Sequence, residues 1–344
     1  MYKKSQLLLV TPFISSFVKS DIEILSREFI VITNQYNWQQ KYLTPIFMLA
    51  QVFVMLSNIL KIKKIVIEFG GYWAVVPTLI GRVFRVPVFI ILHGTDCASI
   101  PNVNYGSLRK YLLRLSCKFS YNFANVLLPV SSSLIQTKND YNKRFIYQGV
   151  KYHFPKIKTP IQVINNGLDS DFWNSVDHKL KELKTFIAVF SQSQFILKGG
   201  DLIMSLAKHH KDCLFYIAGL EKPEKLKNTP NNVLFLGRLS REKLRKYYSK
   251  SQFHFQLSMY EGFGLALFEA MLCRCIPIGS SVNMIPEIIG DTGYILKMKN
   301  IKELIEIVEK ALSIERKIEM GHQARERIKV RYSLDKRRKH LLST

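Results

Sequence analysis

Acidic residues are scarce in this chain: 26 Asp and Glu stand against 50 Lys and Arg, a formal net charge of +24. That balance argues against a basic partner and predicts a positive surface that attracts anions. Nucleic acid, an anionic membrane and nucleotide-sugars all satisfy the sign, so charge alone does not choose between them. Cysteine is scarce too. The five residues Cys97, Cys117, Cys213, Cys273 and Cys275 are odd in number and lack metal-ligand spacing. A reducing cytosol with free, mostly buried thiols accounts for them. Long apolar runs are missing: the longest, 44–60, carries Gln51, Ser57 and Asn58 and falls short of a membrane span. It reads as a helix of a soluble domain, and no transmembrane anchor is expected. The start, MYKKSQLLLVTPF, places two lysines before an apolar run, but that run is short, meets Pro12 and has no small-residue cleavage site. It reads as a first strand. The basic stretches at 107–124 and 336–339 lack the aromatic interleaving of a single-strand nucleic-acid platform, so no nucleic-acid partner is expected.

What the chain does have is length and alternation. At 344 residues, 47% hydrophobic and 22% charged, it is globular and long enough for two domains. In the first half, strands are expected at 7–10, 29–33, 65–68, 86–93, 126–130 and 161–165, with helices at 15–27, 44–60, 72–84, 107–124 and 131–141. In the second half, strands are expected at 185–190, 214–218, 233–236, 253–257, 276–278 and 292–296, with helices at 200–208, 241–251, 265–272, 301–313 and 315–331. This βα rhythm predicts two doubly wound parallel sheets, in domains 1–166 and 167–331, with a C-terminal helix at about 332–344 packing back on the first. Small residues follow the strand ends, among them Gly94, Ser131, Ser191, Gly219, Ser258 and Gly279. Ligands bind outside those ends in open α/β sheets, which predicts a cleft between the two domains.

One stretch, FHFQLSMYEGFGLALFEAMLCRCIPIG at 253–279, concentrates the chemistry. A short aromatic strand feeds a loop holding Gly262 and Gly264, and a nearly uncharged helix opens at Leu265. Glycines let a ligand approach the backbone, and the free amides of Phe263 to Leu265 with the helix dipole suit an anion such as a diphosphate. Glu261 in the loop and Glu269 inside the helix are carboxylates in apolar surroundings, so each needs a hydrogen-bonding partner. Glu269 is placed to take ribose hydroxyls, as acidic residues do in dinucleotide folds. The competing reading pairs Glu269 with a buried Arg or Lys.

Glu261 and Glu269 within EGFGLALFEAM, followed by IPEIIGDTGYIL, resemble the paired-glutamate motif of the retaining GT-B glycosyltransferases of family 4. The resemblance implies a GT-B fold and retaining, metal-independent transfer of a sugar from a nucleotide-diphosphate donor to a glycan or lipid-linked acceptor, without a cofactor. It implies that Glu269 holds ribose, that the Gly262, Phe263, Gly264 and Leu265 backbone holds the diphosphate, and that Glu261 holds the donor sugar. His93-Gly94-Thr95-Asp96 is similar to the family's HGxD, whose histidine contacts the transferred sugar, which leaves Asp96 a structural part. Lys198-Gly199 looks like the family's KG, whose lysine reaches the diphosphate. Asn166-Gly167-Leu168-Asp169 is similar to NGxD at the domain junction.

Two stretches depart from the family. Ser191-Gln192-Ser193-Gln194 stands where relatives carry an arginine, which motivates the alternative of a sugar-binding or scaffolding relative without turnover. Thr11-Pro12-Phe13 stands where many relatives have a double glycine. Asp169-Ser170-Asp171 spells D-x-D, but no second acidic cluster completes an oxygen site, so no metal is expected. Lys110, Arg114 and Lys118 share one helical face that suits anionic lipid or simply water. The expected place is cytoplasmic, peripheral at the inner face of a membrane.

Overall fold

The structure is a computed structural model describing residues 4–142, 147–175, 181–223 and 228–344. It divides into two compact units, one formed by residues up to Lys138 with Tyr147–Asn166 and Asp335–Thr344, the other by Gly167–Leu334 with residues 139–142.

The first unit runs β1 (Gln6–Thr11), α1 (Ser16–Leu25), β2 (Ile30–Gln35), α2 (Thr44–Asn58), β3 (Ile62–Glu68), α3 (Val75–Val83), β4 (Val88–Leu92), α4 (Tyr111–Phe123) and β5 (Val126–Pro129). A two-residue hairpin, β6 (Thr137–Lys138) with β7 (Tyr147–Gln148), and the single turn α5 (Val150–His153) follow. The strands form one sheet in the order β2-β1-β3-β4-β5, with every pairing parallel. Leu7 to Val10, Ile65 to Ile67 and Ile90 to Leu92 are almost wholly buried, as strands covered on both faces require. Right-handed crossovers put α1 on one face and α2, α3 and α4 on the other. α3 packs between α2 and α4.

Two sequence expectations fail here. No strand forms at 161–165; Ile161 makes an isolated bridge to Leu127. Pro160 lacks an amide donor, yet its carbonyl accepts from Leu127 N, and Gln162 N bonds back to Leu127 O, so the segment lies along β5 without becoming a full ladder. No α-helix forms at 131–141 either. Its serines make only a 3-10 turn at Ser132–Leu134, and the β-branched Thr137 enters the hairpin.

The second unit runs β8 (Glu182–Val189), α6 (Gly200–His209), β9 (Leu214–Ala218), β10 (Val233–Phe235), α7 (Arg241–Lys250), β11 (Ser251–Gln256), α8 (Leu265–Leu272), β12 (Ile276–Ser280), α9 (Ile285–Ile289), β13 (Tyr294–Leu296), α10 (Ile301–Ser313) and α11 (Lys317–Arg331). Its sheet, also parallel, is ordered β10-β9-β8-β11-β12-β13. The centre is an aromatic ladder: Phe186 stacks on Phe215, Phe253 and Phe255 at 5.2, 4.8 and 4.9 Å between centroids. Such cross-strand aromatic pairs hold register. α12 (Leu334–Ser343) then carries Arg337 into the first unit, where it is buried and pairs with Asp21 of α1. Arg337 also donates to Ile164 O at 2.8 Å. Both units are Rossmann-like.

Candidate active site

In the second unit the alternation of β11 builds the site. Period two sends Phe253 and Phe255 into the aromatic ladder and leaves His254 and Gln256 on the opposite face. His254 is buried, and that burial lowers its pKa to about 4, so it is neutral. Its Nε2 donates to Gln256 Oε1 at 3.2 Å. Gln256 Nε2 in turn donates to Ser258 Oγ at 2.9 Å and to Glu261 Oε2 at 2.6 Å. Ser258 Oγ also donates to that oxygen, at 3.2 Å, and Lys198 Nζ forms an ion pair with it. Asn283 Oδ1 accepts from the Glu261 amide at 3.1 Å. Glu261 is thus fixed by four side chains, while Oε1 accepts from no described donor and stays available. The Lys198 and Glu261 side chains are only 14% and 12% exposed, so their attraction is weakly screened.

Glycine conformation explains why Lys198 arrives there. Gly199 sits at φ +76°, and a Cβ would come within 2.6 Å of Leu257 Cβ and 2.7 Å of Leu257 O. Only glycine lets α6 start hard against the end of β11. Leu197 O accepts from Met259 N at 2.7 Å and locks the two loops together. At the other side of the site Gly264, at φ +93°, starts α8 with no side-chain cap. The first-turn amides of Leu265 and Ala266 have no acceptor among the described residues. Lys198 and an open helix N-terminus therefore offer positive charge and free donors to one anion.

Glu269 lies one turn further along α8 and is half-buried. Burial raises its pKa to about 8, against smaller lowering effects from Arg241 and the Tyr248 hydroxyl. Tyr248 Oη donates to Glu269 Oε2 at 3.4 Å, long for a hydroxyl donor. No described cation forms an ion pair with it, so the buried-cation reading of Glu269 finds no support. Its carboxyl is protonated near neutral pH and poorly satisfied, which suits a site completed by a ligand hydroxyl.

The first unit holds His93. Its Nε2 lies 2.7 Å from Glu68 Oε2, and its ring is packed between Phe17 and Phe69 at 4.6 and 4.3 Å. Burial lowers His93 to about 4 and raises Glu68 to about 7, so the pair shares one proton between two groups that both resist charging. Glu68 Oε1 has no hydrogen-bond partner among the described residues, and the nearby Arg337 guanidinium, itself paired with Asp21, partly offsets the burial of Glu68. Asp96 is occupied in loop building: Oδ1 accepts from the amides of His93 and Gly94 at 3.0 and 2.9 Å, and Oδ2 from Gly70 N at 2.9 Å.

The same unit contains a cavity of about 1040 Å³. Phe13, Tyr36, Trp38, Tyr72, Trp73 and Tyr111 supply aromatic walls, and amides and lysines such as Asn37, Gln39, Lys41 and Lys110 the polar ones. Trp38 is 7% exposed and its Nε1 has no described partner. Phe13 of the divergent first loop lies in this wall.

Two sequence features also make contacts within the fold. Asp169 Oδ1 accepts from the amides of Asp171 and Phe172 at 2.9 and 3.0 Å, an Asx turn that uses up half of D-x-D. On α4, Arg114 packs over Phe154 and donates to His153 O at 3.4 Å, Lys110 lines the cavity, and Lys118 is exposed. Sequence reasoning passed over Gln256, Asn283 and Glu68, and took Ser258 only as a small residue after a strand end. The alternation in FHFQ was the signal for Gln256. For Glu68 it was a lone acid ending the apolar strand IVIEF.

Residues 171–331 match the family described as glycosyl transferases group 1. The match spans almost the whole of the second unit. N-acetyl-alpha-D-glucosaminyl L-malate synthase of Bacillus anthracis is 26% identical over 278 residues, 73% of this chain and 65% of that protein. The chain thus spans slightly under two thirds of the length of this curated relative. Among solved structures, a sucrose-phosphate synthase from Thermosynechococcus elongatus superposes with a TM-score of 0.76 at 12% identity, over 99% of this chain and 98% of that one. HepE of Anabaena, in complex with UDP-glucose, gives 0.72 at 15% identity, over 98% of each chain. These structural likenesses establish the GT-B fold.

Proposed function

We propose that this protein is a retaining, metal-independent glycosyltransferase that moves a sugar from a nucleotide-diphosphate donor to a glycan or lipid-linked acceptor in surface polysaccharide or glycoconjugate synthesis. The observation that carries the reading is the convergence of Lys198, Glu261 and the uncapped start of α8. As the glycosidic bond breaks, negative charge grows on the departing diphosphate. Lys198 and the Leu265 and Ala266 amides are fixed beforehand to receive it, so they stabilise the transition state without reorganising. The diphosphate takes Lys198 over from Glu261, whose free Oε1 accepts from a donor-sugar hydroxyl. Glu269 takes the ribose hydroxyls. His93, held neutral, hydrogen-bonds the transferred sugar, and Glu68 fixes which ring nitrogen carries the proton. The UDP-glucose bound in HepE, and the glucosaminyl and sucrose-phosphate synthases among the relatives, support this reading.

The aromatic cavity of the first unit is the proposed acceptor site. Aromatic faces stack on the apolar faces of sugar rings, while Trp38 Nε1 and the neighbouring amides take hydroxyls. Lys110, Arg114 and Lys118 rest on an anionic membrane at the cytoplasmic face. The test is a donor screen with nucleotide-sugars and membrane extracts, followed by NMR of the product anomer and a repeat in EDTA. Retained configuration with activity unchanged by EDTA is expected. Inversion at the anomeric carbon refutes the retaining reading, and loss in EDTA with rescue by one divalent ion refutes metal independence. Nucleotide binding without turnover on any donor would leave the sugar-binding relative as the better description.

A further inference from the structure

α2 is built inside out. It has no charged residue, yet its sheet-facing side buries the polar Gln51 beside Met55. Gln51 Nε2 is tied to Asn34 Oδ1 and Trp73 O at 3.0 and 3.1 Å. The outward side carries Ile46, Leu49, Phe53, Leu56 and, just past the helix, Leu60, exposed by 58, 61, 74, 50 and 88%. Their spacing of three, four, three and four residues makes one continuous stripe. The stripe is not isolated. α3 and α4, on the same face of the sheet, expose Val83 and Phe84, and Tyr111, Leu112 and Leu115. A monomer surface seldom leaves so wide an apolar patch in water.

The charge around the patch is one-sided. Between Lys41 and Phe123 stand ten Lys and Arg and only two acids, Glu68 and Asp96, both 0% exposed. Lys41 precedes α2, Lys61 and Lys63 follow it, and Arg82 and Arg85 flank the end of α3. At 15 residues α2 is about 22 Å long, against a hydrocarbon core of about 30 Å. Among the described residues no helix is long and apolar enough to cross a membrane.

We infer that the outer face of α2, α3 and α4 is a membrane-docking surface, on which α2 lies in the plane of an anionic bilayer with its Ile46-to-Leu60 stripe among the acyl chains and the surrounding bases at the headgroups. This deepens the membrane contact proposed above and moves its centre from the α4 bases to α2. The cavity, whose walls include Lys41 before α2 and Lys110 before α4, then opens beside the lipid surface. That location suits an acceptor presented by a membrane lipid.

The experiment compares the full chain with Leu49→Glu/Phe53→Glu/Leu56→Glu in co-sedimentation with vesicles of 30% phosphatidylglycerol in phosphatidylcholine. The substituted positions are exposed, so circular dichroism and melting should match the parent. The parent should sediment and the triple variant partition on the order of 100-fold less, given the apolar area and like charge involved. Raising salt should weaken but not abolish parent binding, because only the basic rim is screened. As a second probe, Phe53→Trp should be quenched by brominated lipid beyond the parent's own tryptophans. Absence of parent binding, equal binding by the triple variant, or an unquenched Phe53→Trp overturns the inference. So does a parent that is dimeric in ultracentrifugation, becomes monomeric on the triple substitution and binds vesicles equally in both forms, since the stripe then belongs to a second copy. Calorimetry with UDP and GDP in the absence of lipid reads the donor site separately: nucleotide binding without vesicle binding sinks only the docking surface.

Discussion

Glu269→Gln gives the most discriminating single measurement on the second unit. Burial raises the Glu269 carboxyl from an ordinary 4.5 to about 8. Between those values the folded state holds a proton that the unfolded state has released, so stability present below about pH 4.5 is lost as pH rises toward 8. At about 1.4 kcal/mol per pH unit the full span is on the order of 5 kcal/mol. Glu269 keeps part of its surface in water, which reduces the expected loss to roughly 2–4 kcal/mol. Glutamine has the shape of the protonated acid and no such slope. Denaturant unfolding should therefore find parent and variant about equal at roughly pH 4, with the variant more stable by roughly 2–4 kcal/mol at about pH 8.5. Ligand binding gives a second reading. Ribose hydroxyls donate to the carboxylate and favour its ionised form, so nucleoside diphosphate binding at pH 7 should release close to one proton. Calorimetry in buffers of different ionisation enthalpy would count it, and Glu269→Gln should release none while binding about tenfold more weakly. A parent that gains stability over the variant as pH rises would mean an ionised Glu269 paired with a cation such as Arg241. Equal nucleotide affinity in both proteins would remove Glu269 from the ribose site.

Three further outcomes follow from the same contacts. Lys198→Ala should weaken nucleoside diphosphate binding by ten- to a hundredfold, since a charge-assisted hydrogen bond contributes about 1.5–3 kcal/mol; unchanged affinity in calorimetry would show Lys198 misassigned. A double-mutant cycle of Lys198→Ala with Glu261→Gln should show a coupling of about 1 kcal/mol or more in ligand-free unfolding, and strict additivity would count against the ion pair. Arg337→Met leaves Asp21 buried without its cation and should destabilise the first unit by about 3–5 kcal/mol, with recovery in Arg337→Met/Asp21→Asn; nucleotide affinity, a property of the second unit, should stay as in the parent.

The parts of the fold legible in the sequence were those whose partners lie close along the chain. α8 and α10 begin and end where the sequence placed them, because each is bounded by a turn residue and carries its own periodicity. Residues 161–165 misled because Pro160 withholds one ladder donor, a loss that composition does not display. The candidate site divides in the same way. Glu261, Gly264 and Glu269 stand within one strand-turn-helix and could be read together, whereas the fourfold hold on Glu261 needs Lys198 from α6 and Asn283 beyond β12. Glu68 and His93 are separated by a whole βα unit and meet only because β3 and β4 are neighbours in the sheet.

The stretch 44–60 marks a different kind of limit. Its lack of charge reads equally well as a helix buried on all sides or one exposed on a face that water does not occupy, since apolar periodicity cannot say which side meets the sheet. The hydrogen bonds of Gln51 decide it. They fix the polar side inward, and the sequence then has no choice but to turn Leu49, Phe53 and Leu56 outward. A helix whose polar residue anchors it turns its apolar residues to the surface, and it is this face that the proposed bilayer would cover. The absence of any exposed acid in the surrounding eighty-odd residues is what favours an anionic bilayer over a neutral one.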